Sequence, residues 1–252
     1  MIKNIFITGA TSGIGAACAE LYASHGHQLF LTGRRADKLE ALKQRLEETY
    51  RVRVTVYCFD VRDKPSADAV AAQLKENQTQ IHVLVNNAGL ALGRHSFDDA
   101  DMNDWEVMID TNIKGVLYVT RALLPLMQPG AAHIVNIGSV AGKEVYDKGN
   151  VYCATKFALD ALSQSMRIDL LNKSIKVTAI HPGAVQTEFS LVRFKGDQET
   201  ADAVYNGFTP LQAADVANAV YYCTSLPENV CINDLVITCT AQANAIYFYK
   251  QL

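Results

Sequence analysis

The strongest constraint on the fold is a rhythm that runs the length of this 252-residue chain. Short runs rich in β-branched and aromatic residues, at 4–8, 28–32, 53–59, 81–86, 133–137 and 176–180, read as strands. Between them lie helical patterns such as 36–50, with Leu39, Leu42 and Leu46 at three- and four-residue spacing, and 66–77 behind Pro65. Strand and helix in strict alternation imply right-handed crossovers, hence a parallel sheet with helices on both faces. A further apolar run at 235–238 adds an edge strand. The expected class is α/β, a doubly wound sheet of about seven mostly parallel strands.

No linker or repeat interrupts the chain, and 49% of its residues are hydrophobic, so 1–252 is expected to be a single domain. Two stretches stand outside the rhythm. Residues 187–210 are polar, contain Gly196 and Gly207, and are expected to form a lid over a substrate site. The tail, 241–252, carries Tyr247, Phe248 and Tyr249.

A net charge of −3 gives no long-range attraction for nucleic acid or an anionic membrane, which leaves a small molecule as the expected partner. The opening apolar run is too short for a signal peptide, and no stretch reaches the roughly 18 apolar residues of a membrane span, so a cytoplasmic protein is expected. Six scattered cysteines are expected to be reduced thiols. With no C-x-x-C and no H-E-x-x-H, no protein-bound metal is expected. His95, His133 and His181 have no acidic partner visible in the sequence and read as structural or solvated.

The first strand runs into Gly9-Ala10-Thr11-Ser12-Gly13-Ile14-Gly15 and then a helix over 16–24. This strand, glycine turn and helix are the start of a Rossmann fold, where the backbone approaches a pyrophosphate and the helix N-terminus holds its charge. Thr11 and Ser12 offer hydroxyls as further donors. The second strand ends without the carboxylate that would hold a ribose 2′-hydroxyl. It ends instead in Thr32-Gly33-Arg34-Arg35, two guanidinium groups suited to a 2′-phosphate, which favours NADP over NAD.

Tyr152 and Lys156 lie four apart in a predicted helix and share a face. Hydride transfer between an alcohol and nicotinamide needs a group that takes or gives the hydroxyl proton, and Tyr152 is the candidate. Bringing a phenol from about 10 to near neutrality takes roughly 3 units, or about 4 kcal/mol, which a cationic Lys156 in a dry pocket is expected to supply in large part. Ser139 follows the strand at 133–137, at the carboxyl end of the sheet, where it would hold the substrate oxygen.

Thr8-Gly9-x-x-x-Gly13-x-Gly15, Asn86-Asn87-Ala88-Gly89, Ser139, Tyr152-x-x-x-Lys156 and Pro182-Gly183, in this order, together resemble the short-chain dehydrogenase/reductase family over nearly the whole chain. The resemblance implies that Asp60 and Val61 flank the adenine and that Asn87 and Lys156 meet the nicotinamide ribose. It also implies that Pro182, Gly183, Val185 and Thr187 complete the cofactor contacts. Asp60 reads equally well as a helix-cap or turn residue. Asn112 matches the family's remaining catalytic asparagine, which bends a helix and holds a water linking Lys156 to solvent. A homotetramer is implied as well.

Longer segments, among them Asn86 to Gly93, Met108 to Asn112 and Val192 to Asp197, resemble NADP-dependent 3-hydroxy acid dehydrogenases of the serine and allo-threonine type. The chain departs from these at Cys239-Thr240-Ala241-Gln242, which lacks their proline. The resemblance implies oxidation at the 3-position, giving an amino-keto acid that decarboxylates unaided. A substrate carboxylate needs a cation, for which the lid offers Arg193 or Lys195. The rival enzyme reading is a general carbonyl reductase for ketones, dicarbonyls or sugars. A non-catalytic NADP-binding regulator is the reading from another class, and an intact Tyr152, Lys156, Ser139 and Asn112 argue against it.

Overall fold

The computed structural model describes residues 2–251; Met1 and Leu252, the ends of the expected domain, lie outside it. The chain opens on β1 (Asn4–Thr8) and passes through the glycine turn into α1 (Gly13–Ser24). The alternation continues through β2 (Gln28–Gly33), α2 (Ala36–Tyr50), β3 (Val54–Cys58), α3 (Lys64–Glu76) and β4 (Val83–Asn86). Next come α4 (Met102–Ile109) and α5 (Gly115–Leu123), one helical run interrupted by a π-helical turn at Asp110–Lys114. β5 (His133–Ile137), the long α6 (Asn150–Asp169) and β6 (Lys176–Pro182) follow.

The sequence 187–210, expected to form a lid, carries elements of its own. Between β7 (Val185–Gln186) and its parallel partner β8 (Leu211–Gln212) it folds two short helices, α7 (Glu188–Arg193) and α8 (Gln198–Ala203). Each has a cap that explains it. Thr187 Oγ1 accepts the Phe189 N–H and Asp197 Oδ1 accepts the Thr200 N–H, satisfying first-turn donors that would otherwise be orphaned. The chain closes with α9 (Ala213–Ser225), β9 (Asp234–Ile237) and the tail, whose Phe248 ring packs on Phe208.

All neighbours in the main sheet are parallel, in the order β3-β2-β1-β4-β5-β6-β9. The chain winds outward from β1 to β3, then returns to place β4 on the other side of β1. That reversal opens a crevice at the carboxyl ends of the strands. Side-chain alternation along the strands builds two cores. Ile5 and Ile7 face α1, α2 and α9, with Leu39, Leu42 and Leu46 buried as the helical spacing predicts. Phe6, Leu84 and Ile134 face the opposite way, against Leu74, Val119 and Leu123 of α3 and α5.

No helix among the described residues is long and apolar enough to cross a membrane, and the six cysteines carry free thiols. His133 is buried in β5 with Nε2 2.7 Å from Thr178 Oγ1, and burial pushes its pKa down to about 3. Burial does the same to His27, down to about 4. Both rings are therefore neutral in the fold, whereas in the unfolded chain they protonate near 6.5. Below that pH the unfolded state binds protons that the native state excludes, so stability is lost as the pH falls from about 6.5 toward 4 and then 3. The Tm near pH 5 is expected to lie below that near pH 7.5. A Tm that holds or rises on acidification contradicts the neutral-ring assignment.

Candidate active site

The glycine turn is built by close packing. Gly9 and Gly13 have φ of +65° and +53°, the left-handed region. A Cβ on Gly15 would lie 2.4 Å from the Gly9 oxygen and 2.5 Å from Asn87 Nδ2. Asn87 holds the turn from across the crevice, its Nδ2 donating to the carbonyls of Thr8 and Gly9. Thr8 Oγ1 in return accepts the N–H groups of Asn87 and Ala88. Ala10 is turned into the core and spends its N–H on the Thr32 carbonyl.

A cleft of about 320 Å³ runs from Arg34 and Arg35 along this turn to Ser139 and Tyr152. Every residue expected to touch the dinucleotide lines it except Ala10. The fit is supported by an orphan: Thr111 Oγ1, in the cleft wall, is buried with no hydrogen-bond partner among the described residues. Arg34 is exposed, its nearest carboxylate being Asp60 at 3.7 Å. Asp60 has two surroundings. It lines the cleft, and it fixes a turn by accepting the Arg62 N–H and pairing with its guanidinium.

Arg35 is the more engaged arginine. It donates to Thr11 Oγ1 and Ser12 Oγ, and its Nη1 lies 2.7 Å from Glu188 Oε2. Glu188 also takes Lys38 at 2.9 Å. These cations, Lys38 foremost, bring the Glu188 carboxyl down to about 2. The first residue of α7 is thereby tied across the cleft, a link absent from the sequence reading. Gln242 was missed as well: its Oε1 accepts the Ala184 N–H and presses so closely on Gly183 that no Cβ fits there.

Ser139 leads the 3-10 turn Val140–Gly142, its Oγ accepting the Ala141 N–H. Tyr152 and Lys156 are buried on α6, with Lys156 Nζ 2.9 Å from the Ile137 oxygen and 5.9 Å from the centre of the Tyr152 ring. The electrostatics correct the expectation of a phenol lowered by Lys156. Burial holds the Tyr152 phenol above its ordinary range, with Ser139 and Arg193 pulling against it, and burial brings Lys156 down to about 8. Desolvation outweighs the pull of Ser139 and Arg193.

Asn112 sits in the π-helical turn, as a helix-bending residue should. Its side chain receives the Leu90 N–H and donates to the Leu90 oxygen and Thr155 Oγ1, clamping the strand-end loop to α6. Arg193, at the end of α7, donates to Tyr146 Oη at 2.8 Å and to the Gly93 carbonyl. Its guanidinium lies 5.6 Å from the centre of the Tyr152 ring. Lys195, the other lid cation, is drawn away to Asp104 at 2.9 Å.

A doubly wound sheet, a glycine turn and a buried Tyr–Lys pair facing a serine across the crevice define a nucleotide-dependent oxidoreductase. Residues 3–197 match the family described as short chain dehydrogenase, and the chain belongs to that family. Over 245 residues it is 47% identical to the sulfoacetaldehyde reductase of Chromohalobacter salexigens, a match covering 96% of each chain. It is 43% identical over 243 residues to the NADP-dependent 3-hydroxy acid dehydrogenase of Salmonella typhi, again 96% of each. Among solved structures, the closed form of serine dehydrogenase complexed with NADP+ is similar at a TM-score of 0.90 and 41% identity, covering 96% of this chain and 97% of that one.

Proposed function

We propose that this chain is an NADP-dependent oxidoreductase for small substrates that carry a carboxylate or sulfonate two carbons from the reacting oxygen. 3-Hydroxy acids such as serine and allo-threonine share that layout with sulfoacetaldehyde. The observation that carries the reading is Arg193 standing over Tyr152. Two of its nitrogens are held by Tyr146 and Gly93, and Nη2 has no partner among the described residues. A planar guanidinium so fixed suits an oxyanion group.

Bound NADPH supplies the hydride. The carbonyl oxygen lies between the Ser139 and Tyr152 hydroxyls, which donate to it as negative charge builds. Tyr152, kept protonated by its burial, gives up the proton. Lys156 steadies the phenolate left behind, while burial favours its return to the neutral phenol. Oxidation runs the same steps backwards, with Tyr152 as base. Arg34 and Arg35 hold the 2′-phosphate, and the glycine turn holds the pyrophosphate.

A cytoplasmic homotetramer belongs to the same reading. α6 leaves Phe157 and Ile168 exposed, the turn after it Leu171, and β9 and the tail leave Val236, Tyr247 and Tyr249, apolar surface suited to further copies.

An Arg193→Leu variant tests the anion site. The KM for serine or sulfoacetaldehyde is expected to rise roughly ten- to hundredfold, the value of a charged hydrogen bond. The KM for a neutral aldehyde of similar size is expected to stay put. An equal change for both, or none, removes the anion site and leaves the general carbonyl reductase.

A further inference from the structure

Behind Ser139 lies a charged group that the reaction as drawn does not use. His181, on β6, is fully buried, with Nδ1 3.2 Å from the Ser139 carbonyl oxygen. A carbonyl only accepts, so Nδ1 carries the proton and donates. On the far side of the ring, Nε2 lies 3.3 Å from Asp234 Oδ1 and 3.6 Å from Asp160 Oδ1 but makes no hydrogen bond among the described residues, so the carboxylates connect to the turn through Lys143 rather than through the ring. Both carboxylates hold the Lys143 ammonium. Burial and Lys143 keep the imidazolium form below its usual range against the pull of the two carboxylates.

The connections run to both ends of the serine's turn. Ser139 starts the turn Val140–Gly142, and Lys143 follows it. Asp160 lies on α6, one helical step of four residues beyond Lys156 and two beyond Tyr152, on their face. His181 therefore holds the turn's first residue, and Lys143 ties its end to the helix that carries the Tyr–Lys pair. The packing leaves no slack. A Cβ on Gly138 would lie 2.5 Å from His181 Nδ1, and a Cβ on Gly142 would lie 2.6 Å from the Lys156 carbonyl oxygen.

We propose that His181, with Asp160, Asp234 and Lys143, is a positioning unit that fixes the Ser139 hydroxyl relative to Tyr152. The inference rests on the reading of Ser139 as the group that holds the substrate oxygen. Its physical basis is geometric: in a site of this kind, a displacement of about 1 Å costs up to about a hundredfold in rate.

Four variants of the full chain test it by steady-state kinetics and by fluorescence titration of NADPH. His181→Leu is expected to lower kcat roughly ten- to hundredfold with the NADPH Kd unchanged. His181→Asn, whose amide places a donor where Nδ1 stands, is expected to recover most of that loss. Lys143→Met, at the solvent end of the group, is expected to lower kcat in the same direction and serves where His181→Leu does not fold. A His181→Asn variant no better than His181→Leu, a loss confined to KM or Kd, or a parental kcat in Lys143→Met overturns the proposal. Ser139→Ala separates the two levels. If it keeps the parental kcat, the role of Ser139 itself fails. If it loses activity while the His181 and Lys143 variants do not, only the positioning unit fails.

Discussion

Replacing Tyr152 with Phe is expected to lower kcat by about 10²- to 10⁴-fold while NADPH binds as tightly as before. The substitution removes one oxygen and little else. The ring keeps its packing, 5.7 Å from Phe189 and 5.6 Å from the Arg193 guanidinium, so the cleft retains its shape. The neighbours are poorly placed to take over the proton. Ser139 already accepts the Ala141 N–H and is a far weaker acid, and Lys156 Nζ points to the Ile137 carbonyl. The pH dependence has a definite sign. Because burial raises the phenol pKa, the acid form serves reduction throughout the neutral range, while the base form needed for oxidation grows as the pH rises. Oxidation rates are therefore expected to climb with pH in the parent and to lose that climb in Tyr152→Phe. A variant within tenfold of the parent would show that the phenol is not the acid.

The candidate catalytic residues were legible because their signal is local. Four residues on a helix place Tyr152 and Lys156 on one face whatever the rest of the chain does, and the glycine turn is contiguous with its strand and helix. The caps at Thr187 and Asp197 were equally local, and a reading of first-turn donors would have found α7 and α8. His95 and Asp99, 3.5 Å from each other, lie in the loop before α4, where four-residue spacing carries no pairing signal. Other features needed the fold. Arg35 and Glu188 are 153 residues apart, and His181 meets Asp160 and Asp234 only because β6, α6 and β9 pack side by side. The phenol electrostatics belong to this second kind. Spacing brings Lys156 near Tyr152, but the phenol is also acted on by its burial and by Tyr146, Ser139 and Arg193, which spacing cannot bring together.

The same long-range tie shapes the second large effect. Replacing Arg34 with Asp and Arg35 with Ala together is expected to weaken NADPH binding by roughly 10²- to 10⁴-fold, the value of two charge-assisted contacts, and NADH binding far less, reversing the preference. The single variants are expected to differ. Arg34 is exposed and only loosely associated with Asp60, so it turns to a phosphate at little cost, and Arg34→Ala should weaken NADPH alone. Arg35 is shared among Thr11, Ser12 and Glu188. Its loss removes a phosphate ligand and also one of the two cations that hold the start of α7, the helix that ends at Arg193. Arg35→Ala should therefore raise the KM for the acidic substrate even with NADH as cofactor, where no 2′-phosphate is at stake. Titration of both nucleotides against each variant, with substrate KM measured in parallel, separates the two roles. An unchanged NADPH affinity in the double variant would place the 2′-phosphate elsewhere, and an unchanged KM in Arg35→Ala would confine that arginine to the cofactor.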